Sequence, residues 1–249
     1  MIRKLSGFSL LEVAIVLCII GIISGIGIPA LNNFLKYQKI RKTEDHIEQI
    51  IQSLASYVLT NNRLPCPAKP ASSGAENGIS EENCLFSDTF IGLVPYRTLG
   101  IPEKIAKDGY HNWITYAVNL PLTNSEIKSL NAVFDSDPRD TVFCEIAKNH
   151  NDLKVVNAEK QSVLDPENST DLIAVVLISH GANGGGGFDL KGERKETNSP
   201  DKALNADITP NFIDRGLSLT KEDFFDDTVK WITRNNLMAL YGKQPCKKR

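Results

Sequence analysis

Residues 13–35 form a run of 23 residues without a single charge. Its core, VAIVLCIIGIISGIGIPAL over residues 13–31, is apolar on every side of a helix. A helix of about 20 residues crosses the roughly 30 Å hydrocarbon layer of a bilayer. A soluble domain rarely needs a helix that is apolar all round. The run therefore predicts one membrane-spanning helix, and no second run of this length follows it. The rival is a cleaved secretory signal, whose apolar region is about 7–15 residues long and ends at a small-x-small site. This run is longer and offers no clear site of that kind.

The remainder reads as an ordinary globular chain. The whole chain of 249 residues carries 23% charged side chains and a formal net charge of −2. That balance excludes a disordered, collagen-like or polytopic membrane protein and gives no electrostatic case for nucleic acid. The length suits one domain plus an appendage. Two features are unusual for a simple anchor. Glu12 stands at the edge of the apolar run, and a carboxylate entering a bilayer costs about 2–4 kcal/mol unless it finds a partner. The short stretch before it is basic, through Arg3 and Lys4, and ends in Gly7.

The string Lys4-Leu5-Ser6-Gly7-Phe8-Ser9-Leu10-Leu11-Glu12 resembles the processing motif of type IV pilins and type II secretion pseudopilins. The match covers about residues 1–35. The resemblance implies cleavage between Gly7 and Phe8 by prepilin peptidase and N-methylation of Phe8. It also implies pairing of Glu12 with the Phe8 amino group of a neighbouring subunit. A lone copy would leave Glu12 poorly matched, whereas a staggered neighbour would supply the cation, because a buried ion pair is tolerable where a single buried charge is not. A bland alternative has Glu12 snorkelling to the interface. The implied setting is the bacterial inner membrane, with the C-terminal part in the periplasm. The implied partners are other pilin or pseudopilin subunits, the inner-membrane assembly platform and membrane lipid. Counting Lys36, Lys39, Arg41 and Lys42 against Arg3 and Lys4 argues for the opposite orientation. The motif is more specific than that count, and large domains translocate largely regardless of charge. Removal of seven residues leaves 242, which suits a minor subunit.

The resemblance implies an α+β, pilin-like fold: a long N-terminal helix, transmembrane in its first half, packed on an antiparallel β-sheet. The expected organisation is a leader over 1–7, an assembly helix over 8–35, an amphipathic continuation over 36–62 and a periplasmic α+β domain over 63–249. Ile40, Ile47, Ile50, Ile51, Leu54 and Val58 recur at helical spacing, and Leu64-Pro65-Cys66-Pro67 ends the helix. Pro29 should kink or loosen the spanning segment. Residues 63–112 are rich in Pro, Gly, Ser and Asn and predict a long irregular segment. Strands are predicted at 113–118, 141–146, 172–179 and 227–233, with short helices at 124–134 and near 235–241. The continuous apolar run at 172–179 predicts a central strand buried on both faces.

Five cysteines fall into one inside the apolar run, Cys18, and four beyond it. Cys66, Cys84, Cys144 and Cys246 allow three pairings. The favoured one joins Cys66 to Cys84 across the Pro/Gly-rich loop and Cys144 to Cys246. With neither C-x-x-C nor a histidine cluster, a metal site is a poor alternative.

Candidate chemistry is sparse, and no catalytic residues or cofactor are expected. The stretch from Ser179 and His180 through Gly184-Gly185-Gly186-Gly187 lacks the lysine and hydroxyl of a phosphate-binding loop and reads as a glycine-rich turn. The rival function is a single-pass, membrane-anchored periplasmic enzyme or binding domain, with His180 as its centre. Asp223, Asp226 and Asp227 are oxygen ligands of the kind calcium uses, without EF-hand spacing; the plainer reading is a solvated acidic turn.

Overall fold

The computed structural model describes residues 9–70, 78–124, 152–164, 171–189, 191–221, 223–240 and 242. The expected helix over 124–134 and strand over 141–146 lie outside these residues, apart from Asn124.

Helix α1 runs Leu10–Asn61, 52 residues, about 78 Å at 1.5 Å per residue. It continues as helix through residue 29. It ends at Asn62, which adopts a left-handed conformation (φ 55°) and whose N–H donates to the Val58 carbonyl. Asn tolerates that conformation better than most residues.

The helix has two environments. The described large apolar side chains through residue 35 stand exposed, and this stretch is long and apolar enough to cross a membrane. From Thr43 onward one face is buried: Ile47, Ile50, Ile51, Leu54, Ala55 and Val58 enter the main core. Their spacing of three and four residues puts them on one stripe.

That stripe covers a four-stranded antiparallel sheet. The strands are β1 (Ile91–Leu93), β2 (Thr115–Val118), β4 (Ile173–Ser179) and β8 (Thr228–Thr233), in the order β1-β2-β4-β8. On the opposite face lies a small parallel pair, β3 (Lys154–Val156) with β5 (Asn211–Ile213). The sequence reading did not anticipate this third layer. Strand β4 explains why it is apolar throughout. Ala174, Val175 and Leu177 face the core shared with α1, whereas Ile173, Val176 and Ile178 join Val155 and Phe212 in a second core. A register shift between Ile173 and Val175 puts two consecutive residues on the α1 side, as a β-bulge does.

Further elements complete the domain: α2 (Cys84–Ser87), α3 (Pro200–Ala206), the hairpin of β6 (Ser218–Leu219) with β7 (Phe224–Phe225), and α4 (Arg234–Leu240) after β8. Helix α3 and the β6–β7 hairpin also went unanticipated.

Two contacts fix α1 to the sheet end nearest its apolar half. The Thr43 hydroxyl accepts from the Gly109 N–H at 3.0 Å and donates to the Lys39 carbonyl at 2.9 Å. Gly109 is required there, because a Cβ would sit 2.0 Å from the Lys39 carbonyl oxygen. At 2.5 Å, His46 Nδ1 meets the carbonyl of Lys107. At the far end of α1, the buried Tyr116 hydroxyl donates to the Pro65 carbonyl at 2.9 Å. Beside it Cys66 and Cys84 form a disulfide with Cα atoms 5.7 Å apart. Ala68 then exchanges two 2.9 Å backbone hydrogen bonds with Leu93, extending the sheet past β1.

Candidate functional site

The first candidate is the start of α1. Ser9 is its N-cap: the Ser9 hydroxyl accepts from the Leu11 N–H at 3.3 Å, and Glu12 Oε2 accepts from the Ser9 N–H at 2.8 Å. This is the capping box, in which the third helical residue reaches back to the cap. A carboxylate in the first turn also faces the positive end of the helix dipole. Its own backbone thus gives Glu12 one donor, to one of its two oxygens; the expected cation partner would still have to come from a neighbour. Gly7 and Phe8 lie outside the described residues. Cleavage of the 7–8 peptide would leave the 8–9 peptide intact, and that peptide carries the Ser9 N–H. The capping box survives such processing.

Around this start the helix offers a wide apolar surface. Exposure runs from 45% at Val13 to 64% at Ile23, and Cys18 is an exposed free thiol.

The second candidate is a buried polar cluster at the end of β4, where the chain leaves the sheet through the glycine-rich turn. Gly181, Gly184 and Gly186 all have left-handed backbone, with φ of 66°, 63° and 89°. At Gly181 a Cβ would stand 2.3 Å from Asp226 Oδ2, so only glycine lets the turn close over that carboxylate. The Gly186 N–H donates to the Lys195 carbonyl, and the Lys195 N–H donates to the Gly187 carbonyl, each at 2.9 Å. The turn is thus the start of a hairpin, and no phosphate cradle is formed.

Lys202 on α3 occupies the centre of this cluster with no exposure at all. Its ammonium donates to Asp226 Oδ1, to the His180 carbonyl (3.1 Å) and to Asn183 Oδ1 (3.0 Å), and lies 2.9 Å from Asp227 Oδ1. Asn205 Nδ2 donates to Asp227 Oδ2 at 3.0 Å, and the Ala182 N–H donates to Asp226 Oδ2 at 2.9 Å. A lysine taken wholly out of water is tolerable only with such compensation. Burial pushes the Asp227 carboxyl up to about 6 despite the ammonium beside it. Burial likewise holds His180 down at about 3, aided by the positive charges of Arg194, Lys202 and Lys195. His180 is therefore neutral near pH 7.

Thr115 Oγ1, His180 and Asp227 stand in the order of a nucleophile, a base and an orienting acid. His180 Nε2 is 2.9 Å from Thr115 Oγ1, and Nδ1 is 3.7 Å from Asp227 Oδ2, too far for a hydrogen bond. Thr115 and His180 have no solvent-exposed surface. A base poised for catalysis has a pKa near the working pH, whereas this imidazole sits well below it. The arrangement links β2, β4, α3 and the start of β8. Next to it, the Ser179 hydroxyl donates to Asp108 Oδ2 at 2.6 Å, and Asp108 Oδ1 accepts from the Tyr110 and Asn112 N–H groups. This links β4 to the turn that contacts α1.

The three aspartates expected as candidate calcium ligands are not gathered on a free cation site. Asp223 accepts from Arg215 at 3.0 and 2.5 Å, while Asp226 and Asp227 surround Lys202. The ammonium already stands where a cation would, so the residues present do not fit calcium. Among the described residues no group of three or more His, Cys, Asp or Glu is arranged to hold a metal. The disulfide Cys66–Cys84 is present; Cys144 and Cys246 lie outside the described residues.

Lys202 escaped the sequence reading. The one available signal was the adjacent pair Asp226-Asp227 before an apolar strand, which needs a cation once buried. No family model, curated protein or solved structure matches the chain.

Proposed function

We propose that this chain is a pilin-like structural subunit, a minor pilin or pseudopilin. In this reading, prepilin peptidase cuts between Gly7 and Phe8, and Phe8 is N-methylated. The chain waits in the bacterial inner membrane with residues 36–249 in the periplasm. It then joins other pilin or pseudopilin subunits on the inner-membrane platform of a type II secretion system or type IV pilus. The observation that carries this reading is the two-part α1. Its packed half is buried against the sheet, and its apolar half has nothing among the described residues covering it. An uncovered apolar helix headed by Ser9 and Glu12 suits packing against copies of itself in an open, head-to-tail assembly.

The capping box dictates the test. Glutamine preserves a capping box while removing the charge. If Glu12 pairs with a neighbour's ammonium, Glu12→Gln and Glu12→Ala should both abolish cross-links between α1 helices in membranes containing the peptidase and the platform. Normal cross-linking of Glu12→Gln would reduce Glu12 to a helix cap and remove the assembly role.

A further inference from the structure

We infer that the β6–β7 hairpin is a second membrane contact, resting on the bilayer surface beside the point where α1 emerges. This rests on reading α1 as membrane-spanning. Leu217 and Leu219 are 52% and 53% exposed, although they belong to a hairpin whose other strand packs inward through fully buried Phe225. They share a groove of about 350 Å³ with Lys36 and Ile40 of α1, Tyr110 and Phe224. Lys36 is the first charged residue after the apolar run. Residues 10–35 span about 39 Å as a helix, more than the roughly 30 Å hydrocarbon layer, so Lys36 belongs at the headgroup level. Lys36 and Ile40 are about 6 Å apart along α1, so side chains that line a groove with both lie close to that level.

The charges around the groove fit lipid. Lys36 lines the groove, Lys39 Nζ lies 5.1 Å from the centre of the Tyr110 ring, and Arg41 and Lys42 follow within two turns of Lys36 on α1. Asp214, Asp226 and Asp227 also line this groove but are engaged from within, Asp226 and Asp227 by Lys202 and Asp214 by the Trp231 indole N–H at 3.2 Å, and the neighbouring Asp223 is paired with Arg215. Apolar tips within a basic collar suit the boundary between anionic headgroups and acyl chains, where such groups enter by about 5–10 Å. A second copy fits less well. Copies anchored in one membrane stand at one height, so their basic collars would face each other. The dock would limit the tilt of the globular domain relative to α1 before assembly.

The test uses the full chain in vesicles of phosphatidylethanolamine and phosphatidylglycerol, with or without acyl chains brominated near the glycerol. Tryptophan is introduced singly by Phe34→Trp, Leu219→Trp or Leu59→Trp, with the emission of Trp113 and Trp231 subtracted. Leu59 is exposed and lies about 35 Å along α1 from Lys36. The dock predicts that bromine lowers the emission of the Phe34→Trp and Leu219→Trp probes about twofold, at any protein density, and leaves the Leu59→Trp probe unchanged. Quenching of the Phe34→Trp probe with the Leu219→Trp probe behaving like the Leu59→Trp probe overturns the dock and leaves the spanning helix standing. An unquenched Phe34→Trp probe overturns the spanning helix and the dock with it. A Leu219→Trp signal that changes only as copies are crowded assigns the hairpin to a neighbouring chain instead. Leu217→Trp repeats the reading should the tryptophan at 219 disturb the hairpin.

Discussion

The first half of α1 and the domain that receives its second half treat charge and apolar surface in opposite ways. In the domain, Lys202 is fully buried, yet two carboxylates, a carbonyl and an amide surround it. The apolar stripe of α1 is likewise covered by the domain's own sheet. In the first half, Glu12 meets a single backbone N–H, and the side chains around it face outward. The domain is internally complete, and the helix start is built to be completed by something outside the chain. In the proposed function, a membrane and neighbouring subunits would supply what the helix start lacks.

The largest effect should come from breaking the domain's completeness. Lys202→Met leaves Asp226 and Asp227 buried without their cation and should cost about 3–5 kcal/mol, read as a lowered denaturation midpoint of the detergent-solubilised protein. A change below about 1 kcal/mol would mean that the cluster is reached by water. Next, Leu54→Ala opens a cavity under the sheet and should cost about 2–5 kcal/mol. The same kind of truncation in the other half, Ile19→Ala, should leave domain unfolding unmoved, because Ile19 touches no part of the domain core. Equal losses from the two would erase the distinction between the halves. Replacing both Cys66 and Cys84 by Ala frees a loop of 18-residue separation and should cost about 3 kcal/mol by chain entropy, checked by denaturation against the intact protein.

The smallest effect concerns pH. His180 has its native pKa lowered to about 3, so the unfolded chain binds a proton that the native one refuses, and stability falls as pH drops from about 6.5 toward 3. Asp227 is raised to about 6, so the native state binds the extra proton and stability rises as pH drops from about 6 toward 4. The two nearly cancel between pH 4 and 6. Asp227→Asn removes the second contribution, so its denaturation midpoint should fall more steeply with acid across that window than that of the parent. Parallel curves would contradict the assignment of Asp227.

Much of the architecture could be read from local pattern. The doubly buried strand at Ile173–Ser179 was visible because a strand covered on both faces must be apolar at every position. The packed half of α1 was visible as a stripe of isoleucines, and the glycine-rich turn as a stretch needing positive φ. What escaped depends on contacts between distant segments. The parallel pair β3–β5 joins residues more than 50 apart through three-residue strands, too short for alternation to show. Lys202 lies on a seven-residue helix with an ordinary surface composition, and only the fold delivers it to Asp226 and Asp227. Glu12 was legible as an anomaly, but its backbone donor was not foreseen, because the capping box was not read from Ser9 and Glu12 three residues apart.

The mature N-terminus tests the central claim most directly. Mass spectrometry of the membrane-extracted protein, made with and without prepilin peptidase, should show a chain beginning at methylated Phe8 only when the peptidase is present. A chain still beginning at Met1 in its presence would leave α1 an ordinary anchor and contradict the pilin-like account.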